Sequence, residues 1–229
     1  MEIIKFFLSP DLKEETTWGG KLLNAFSAFK FTAISFILLV IALAIIHLVV
    51  VKGFNCEYSI MDTTKKFRNA IFSRTPLEIF FFGVVLIPLL EELTFRAFLD
   101  FRRISIALSV AGLIYILTKV MFTLEIGVGS AVVGFTVSIL ALSESAVEFM
   151  RRNYRLLFYS SALLFVSLHV FNYNLPAFKA FDYFALPVLL GPQIIGSINY
   201  SFLRVRNGLV WSYVFHAVEN LICFLPYII

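Results

Sequence analysis

Long apolar runs, separated by short polar stretches, make up most of this chain. The clearest run covers residues 31–51, which are 21 residues without a formal charge. Six further runs cover about residues 77–99, 104–124, 128–149, 156–171, 184–202 and 209–229. A membrane-spanning helix needs about 20 apolar residues. The runs are continuous rather than alternating, and helices satisfy every backbone hydrogen bond in lipid, so they predict an all-α, polytopic membrane bundle of about seven transmembrane helices.

The residues before the first run have a helical pattern of their own. Lys21 and Lys30 flank three large apolar side chains at helical spacing, Leu22, Phe26 and Phe29, and Trp18 lies one turn earlier. This pattern is typical of an amphipathic helix that lies on the membrane surface. We therefore divide the chain into an N-terminal interfacial segment (1–30), a first span with a polar loop (31–76) and a membrane bundle that carries the candidate chemistry (77–229).

The composition agrees with lipid as the main solvent. Apolar residues make up 60% of the chain, charged residues 15%, and the mean hydropathy is +0.89. A single aqueous core of this size cannot hide so much apolar surface. The composition excludes a disordered chain and a nucleic-acid-binding domain, and it disfavours a soluble enzyme. The expected partners are membrane lipid and a membrane-associated protein or peptide, and no nucleic acid.

Basic residues predict the orientation, since they accumulate on the cytoplasmic side of a membrane. On the seven-span arrangement, eleven lie on the side of the N-terminus and six on the other side. The eleven are Lys5, Lys13, Lys21, Lys30, Arg102, Arg103, Arg151, Arg152, Arg155, Arg204 and Arg206, and the six are Lys52, Lys65, Lys66, Arg68, Arg74 and Lys179. The count predicts an integral, multi-pass protein with a cytoplasmic N-terminus.

Ionisable residues inside an apolar run are costly and indicate function. The second run contains Glu91 and Glu92 side by side, followed by Arg96. Glu92 and Arg96 are four residues apart and can pair along one helical face, whereas Glu91 points about 100° away and needs another partner. Pro88 removes a backbone hydrogen bond just before the two glutamates and favours a kink there. An ion pair that only fixes helix packing would leave Glu91 unexplained.

Two later runs contain histidines. The fifth contains Phe165 and His169, and the seventh contains His216, Glu219 and Asn220. His216 and Asn220 share a face at a spacing of four, and Glu219 either orients His216 or extends towards the membrane surface. A lone buried histidine is more often a packing residue than a functional one, so the case depends on whether these groups meet.

Depth in the membrane provides that test. At about 1.5 Å per residue, Glu91 lies about 16 Å from Arg102, His216 about 15 Å from Arg206, and His169 about 21 Å from Arg155. The three arginines are all predicted on the same side. Glu91, His169 and His216 are therefore expected at a common depth near the middle of the bilayer.

The three motifs resemble the signatures of the CAAX protease and bacteriocin-processing family of intramembrane proteases. Its patterns E-E-x-x-x-R, F-x-x-x-H and H-x-x-x-N occur here in that order, at Glu91 to Arg96, Phe165 to His169 and His216 to Asn220. The similarity covers about residues 77–224. Two positions depart from the family pattern: Ala97, where the first motif is often followed by glycine, and Glu219, where a small or apolar residue is more usual.

The resemblance implies an integral membrane endopeptidase with its site in a water-accessible cavity. Family members either remove the last residues of lipidated CAAX proteins or process peptides and confer immunity to bacteriocins. By similarity, Glu91 and His169 would activate a water molecule, and His216 and Asn220 would bind the oxyanion. Glu92, Arg96 and Phe165 would support these four residues.

The residues leave two mechanisms open. A glutamate in an apolar cavity suits a general base, a neighbouring histidine can relay its proton, and the Asn220 amide can donate to an oxyanion. Alternatively, Glu91, His169 and His216 form the His2Glu ligand set of a catalytic zinc site, with Glu92 as the base. We favour the mechanism without a cofactor, because the H-E-x-x-H motif is absent and three ligands on three helices are a weaker pattern.

Two other classes of protein fit part of the pattern. A non-catalytic immunity or scaffold protein with the same fold would retain its effect after loss of Glu91. A proton-coupled transporter also places buried glutamates and histidines in the membrane. Against a transporter, the chain shows no internal repeat and no corresponding pair of broken helices.

Overall fold

The computed structural model describes residues 2–15, 17–53, 69, 73–121, 124–173 and 180–229. Among these residues every regular element is helical and no strand occurs, so the predicted all-α class is confirmed. The helices are α1 (Glu2–Leu8), α2 (Trp18–His47), α3 (Pro76–Glu78), α4 (Ile87–Phe95), α5 (Arg103–Met121), α6 (Leu124–Ala141), α7 (Glu144–Arg152), α8 (Tyr154–His169), α9 (Ala180–Leu189), α10 (Gly191–Asn207) and α11 (Leu209–Ile228).

Shorter helical pieces connect or extend several of these elements. A π-helical stretch, Ile79–Leu86, joins α3 to α4, so the chain is helical without a gap from Pro76 to Phe95. A capping box fixes the start of this helical segment at α3. The Thr75 hydroxyl accepts from the Glu78 N–H, and the Glu78 carboxylate accepts from the Thr75 N–H. The other pieces are Leu48–Gly53, Ala97–Asp100 and Val170–Asn172.

Three helical segments in the described part of the chain are long and apolar enough to cross a membrane. They are α2, the run Tyr154–Asn172 that contains α8, and α11. A fourth exists if α6 and α7 count as one broken span. The structure therefore supports three or four candidate spans, and the seven predicted spans are not confirmed. Most of the predicted polar loop (residues 54–68 and 70–72) lies outside the described residues, as does Lys179.

The predicted interfacial helix and the predicted first span are one helix. Helix α2 begins at Trp18, where the Thr17 hydroxyl accepts from the Gly20 N–H, and it continues for 30 residues to His47. Neither Lys30 nor Phe31 breaks a helix, so α2 continues through the expected boundary although hydropathy changes there. The position of residues 18–30 on the membrane surface stays a prediction.

Two other predicted spans are broken. The fourth ends at Ala141, and α7 turns away from α6 by 98°. The Ser143 hydroxyl caps α7 by accepting from the Ala146 N–H, which starts a new helix inside the predicted run. The sixth span, expected over residues 184–202, divides into α9 and α10 beside Gly191. Pro192 lies in the first turn of α10, where a proline begins a helix more readily than it continues one.

Helix α10 occupies the interior of the bundle rather than a lipid-facing position. Twelve of its 17 residues are buried, and it packs against α2, α8 and α11. Gly208 separates α10 from α11 with φ of 97°, a left-handed conformation that favours glycine. The reversal at Gly208 brings α11 back along α10, so side chains from both helices face α4.

The N-terminal residues close one end of this bundle. Ile3 and Phe6 of α1 are 0% and 3% exposed, and the Phe6 ring meets the edges of Phe158 and Phe202. Arg206, at the end of α10, donates to Asp11 and to the carbonyl of Lys13. Residues 2–15 are thus held to the bundle by packing and by hydrogen bonds.

Candidate active site

Glu91 and Glu92 are adjacent on α4 and have different surroundings. The Glu92 side chain is 0% exposed, whereas that of Glu91 is 18% exposed and lies on the wall of a cavity. Successive helical residues point about 100° apart, so the Glu92 carboxylate faces α11 and the Glu91 carboxylate faces the cavity.

Glu92 is the centre of a buried polar cluster. Its Oε1 accepts from Nη1 of Arg96 at 2.8 Å and from Nδ1 of His216 at 3.0 Å, while Oε2 accepts from the Ser212 hydroxyl. The predicted pair of Glu92 and Arg96 is therefore present. Because both members are buried, this pair stabilises the fold only while both charges remain.

Aromatic rings complete the environment of Arg96. Its guanidinium carbon lies 4.3 Å from the ring centre of Phe165 and 5.0 Å from that of Tyr200. Nε and Nη2 of Arg96 are buried and have no hydrogen-bond acceptor among the described residues, so the two rings provide further favourable contacts of the cation. The Phe165 ring thus packs on Arg96, and its role in supporting the catalytic residues stays a prediction.

The tautomer of His169 follows from its backbone contact. Nδ1 lies 2.7 Å from the carbonyl oxygen of Phe165, which can only accept, so Nδ1 carries the hydrogen. In a neutral imidazole the other nitrogen, Nε2, is then an acceptor. Nε2 lies 3.7 Å from Oε1 of Glu91.

His216, like His169, has its hydrogen on Nδ1 and directs Nε2 at the Glu91 carboxylate, from the other side. Its Nδ1 donates to Glu92, and its Nε2 lies 3.5 Å from Oε2 of Glu91. The Glu91 carboxylate thus lies between two acceptor nitrogens. A water molecule or an added proton is needed to connect these three groups, because two acceptors cannot bond to each other.

Asn220 is held by a carbonyl group that the helix leaves unpaired. The Ile87 N–H donates to Phe82, and the next residue, Pro88, has no N–H, so the Gly83 carbonyl lacks a helical donor. Nδ2 of Asn220 donates to this carbonyl at 2.8 Å. An amide has two N–H groups, so the second can donate to another acceptor. A π-helical stretch precedes Pro88, and the kink expected there stays a prediction.

The four predicted catalytic residues share one cavity. A cavity of about 870 Å³ is lined by Glu91, His169, His216 and Asn220, together with mainly apolar side chains of α4, α5 and α8. Their expected common depth in the bilayer stays a prediction. The enclosure combines an apolar wall with a few converging polar groups, which is typical of a small-molecule or peptide site.

The structure also bears on the zinc alternative. Within the ranges described above, no group of three or more His, Cys, Asp or Glu side chains is arranged to hold a metal ion. Glu91, His169 and His216 lie close together, but their side chains are not arranged as three ligands of one metal ion. A direct test of metal dependence is therefore part of the experiment proposed for this site.

Several residues of the site were missed by sequence reasoning. Tyr200 packs on His216, Ser212 donates to Glu92, and Arg204 donates to the carbonyls of Arg96 and Ala97. A signal existed, because the predicted sixth span contains a run of polar side chains that pure lipid would not favour: Gln193, Ser197, Asn199, Tyr200 and Ser201.

Glu219, whose role the sequence left open, is bonded to two neighbouring helices. Its carboxylate accepts hydrogen bonds from Thr32 of α2 and Tyr200 of α10. Arg204 and Arg206, which were counted as orienting charges, are each 9% exposed and bonded within the protein.

No protein-family model matches the chain, and neither a curated protein nor a solved structure matches it.

Proposed function

We propose that this protein is an intramembrane endopeptidase of the CAAX protease and bacteriocin-processing type. It would hydrolyse a peptide bond of a membrane-associated protein or peptide, with or without a lipid anchor. One observation carries the proposal: the Glu91 carboxylate lies between Nε2 of His169 and Nε2 of His216, on the wall of a cavity that also reaches Asn220. The excess of basic residues on the predicted N-terminal side supports a multi-pass protein with a cytoplasmic N-terminus.

The first step in this proposal is activation of water. Oε1 of Glu91 and Nε2 of His169 are 3.7 Å apart, so one water molecule can donate a hydrogen bond to each of them at ordinary lengths. Glu91 accepts a proton as the water oxygen attacks the carbonyl carbon of the peptide. His169 accepts the second hydrogen bond and orients the nucleophile.

The next step is stabilisation of the oxyanion. The second N–H of Asn220 can donate to it as a neutral group. His216 already donates from Nδ1 to Glu92, so it must also be protonated at Nε2 to donate there. The proton that Glu91 takes from water can supply Nε2, which lies 3.5 Å away. When the carbon–nitrogen bond breaks, this proton passes to the leaving amine. The oxygen and the other hydrogen of the water remain on the carboxylic acid product, so the step balances.

The experiment compares membrane proteins in cells that express the wild type, Glu91→Gln or Glu148→Gln. Glu148 is exposed on α7 and pairs with Arg152, so it is a matched control outside the site. New peptide termini, found by mass spectrometry, should appear with the wild type and Glu148→Gln and disappear with Glu91→Gln. The same termini with Glu91→Gln, or no new termini with any form, would contradict the proposal.

Purified protein separates the two mechanisms. The substrate identified in cells is cleaved in detergent before and after treatment with a strong chelator, and metal content is measured in parallel. Unchanged cleavage without bound metal supports the glutamate mechanism. Loss of cleavage that zinc restores supports the zinc mechanism. A biological effect that persists in the Glu91→Gln strain supports a non-catalytic protein of the same fold.

A further inference from the structure

Tyr200 lies flat against the imidazole of His216. The two ring centres are 4.0 Å apart and the ring planes differ by 16°. Both residues are buried, at 5% and 4% exposure. Tyr200 comes from α10, outside the three motifs, and its ring covers one face of the histidine. Tyr200 therefore forms one wall of the space in which the imidazole can turn.

The Tyr200 ring is itself held in place through its hydroxyl group. The hydroxyl donates to Oε2 of Glu219 at 2.6 Å, and Oε1 of Glu219 accepts from the Thr32 hydroxyl at 2.6 Å. Thr32 in turn accepts from Nδ2 of Asn199, also at 2.6 Å. The three helices α2, α10 and α11 thus converge on one carboxylate that lies at the far end of the tyrosine.

A role in packing alone does not account for this arrangement. Phenylalanine would fill the same space against His216 without a hydroxyl group. A partly buried carboxylate among membrane helices is costly unless it is hydrogen bonded, and here each oxygen of Glu219 receives a donor. The Thr32 hydrogen bond holds the Glu219 carboxylate in place. The carboxylate in turn fixes the position of the Tyr200 hydroxyl, and thereby the position of the Tyr200 ring.

The orientation of His216 matters because its two nitrogens have different partners. The Nδ1 bond to Glu92 fixes one atom of the ring but leaves the imidazole able to tilt about that bond. A flat aromatic ring against one face opposes the tilt. With both contacts in place, Nε2 stays directed at Oε2 of Glu91.

We propose that Tyr200 and Glu219 are positioning residues for His216. Glu219 holds the tyrosine hydroxyl, Tyr200 holds the plane of the imidazole, and Nε2 is thereby directed at Glu91. The link through Thr32 makes α2 part of the support of the site. The effect on catalysis rests on the proposed function, whereas the effect on the orientation of His216 does not.

The first test measures His216 directly, without any substrate. The chain has three histidines, so selective ¹⁵N labelling in detergent gives a small set of imidazole signals that single histidine variants assign. We expect the Nδ1–H tautomer for His216 in the wild type and in Tyr200→Phe, which keeps the ring. Tyr200→Leu should change the tautomer or broaden the signal. Tyr159→Phe is the matched control, since it removes a tyrosine hydroxyl bond of 2.6 Å elsewhere, to Phe7.

The second test is kinetic and uses the substrate identified for the wild type. Tyr200→Leu should lower kcat by about 100-fold with little change in KM, since a misplacement of about 1 Å costs about that much. Tyr200→Phe and Glu219→Gln should have smaller effects, because the ring remains. These two effects should not add in the double variant, since both act on the same bond.

The outcomes separate this proposal from the proposed function. If the wild type cleaves no substrate but its His216 signal responds to Tyr200→Leu, the function fails and the positioning role stands. If the wild type is active and Tyr200→Leu retains both kcat and the His216 signal, the positioning role is overturned. Additive losses for Tyr200→Phe and Glu219→Gln would overturn the role of Glu219. Should Tyr200→Leu fail to fold, these two milder variants decide the question.

Discussion

Nδ1–H of His216 donates to Oε1 of Glu92 at 3.0 Å, and the bond joins α11 to α4. The same oxygen accepts from Arg96, so one carboxylate both neutralises the buried cation and fixes the histidine tautomer. The neighbouring Glu91 lies instead beside the two Nε2 atoms, at 3.5 and 3.7 Å. Two adjacent glutamates thus have separable roles, one in the fold and one at the cavity.

We therefore expect the same substitution at the two positions to have different effects. Glu92→Gln leaves the buried Arg96 without a counter-charge, and breaking a buried pair in this way costs about 3–5 kcal/mol. Its unfolding midpoint in detergent should fall well below that of the wild type. Glu91→Gln should keep the wild-type midpoint and lose peptide hydrolysis. Equal losses of stability for the two variants would contradict this division.

Pro88 provides a second prediction, since it leaves the Gly83 carbonyl to Asn220. Pro88→Ala restores an N–H at position 88, which can donate to that carbonyl and compete with the Asn220 amide. Hydrolysis should fall by about 10- to 100-fold, because complete loss of an oxyanion donor costs about 100- to 1000-fold. Hydrogen exchange should reveal a slowly exchanging amide at position 88.

Pro226→Ala is the control for this experiment. Pro226 also lies within a helix, near the end of α11, and it is exposed. This variant changes the same residue type without touching Gly83 or Asn220. A similar loss of activity in both proline variants would show that the effect is general to proline removal.

The sequence predicted the contacts within the candidate site better than it predicted the number of membrane spans. The spacing of Glu92 and Arg96 predicts their pairing, because residues four apart lie on one helical face. Glu91, His169 and His216 were predicted at a common depth, and a bundle brings groups of equal depth together. Tyr200 and Ser212 were not found, since their partners are on other helices and local spacing carries no information about them.

The breaks between helices have a different explanation. Hydropathy reports which solvent a segment prefers and not the direction of the chain, whereas at Ser143 and at Gly191 the structure ends one helix and begins another. The direction of the chain depends instead on caps and backbone angles. The run over residues 184–202 was predicted as one membrane span from its hydropathy alone, since apolar side chains are expected both in lipid and in a protein core.

The N-terminal segment provides a prediction about pH. A hydrogen bond from Arg206, at 2.5 Å, lowers the pKa of Asp11 below its usual value of 3.8. The unfolded carboxyl therefore binds protons more readily than the folded one, so the contribution of this bond is complete above about pH 4 and is lost as the pH falls through the lowered pKa. Docking of residues 2–15 should be constant from about pH 8 to 5 and weaken in acid.

Hydrogen exchange of the Glu15 amide measures this docking, because that amide donates to the carbonyl of Arg206. Asp11→Asn should exchange faster than the wild type at neutral pH and should lack the acid-dependent part of the change. Comparison of the two proteins separates Asp11 from Glu2, whose carboxylate also lies 4.0 Å from Arg206. Identical acid profiles would assign the change to other carboxylates.

Close packing between α4 and α5 carries the last prediction. A Cβ atom on Gly112 would lie 3.0 Å from Cβ of Thr94 and 3.2 Å from its Cα, so Gly112→Ala has to move the backbone of α4. Overpacking of this kind costs about 1–3 kcal/mol. Gly129→Ala on α6 is the matched control, because nothing lies within 4 Å of its added carbon, and alanine favours a helix over glycine by about 1 kcal/mol. We expect the unfolding midpoint in detergent to fall for Gly112→Ala and to stay level or rise for Gly129→Ala. Since α4 carries Glu91 and Glu92, Gly112→Ala should also lower kcat. If both kcat and the unfolding midpoint were unchanged, the two helices could separate without disturbing the glutamates, and the prediction would be wrong.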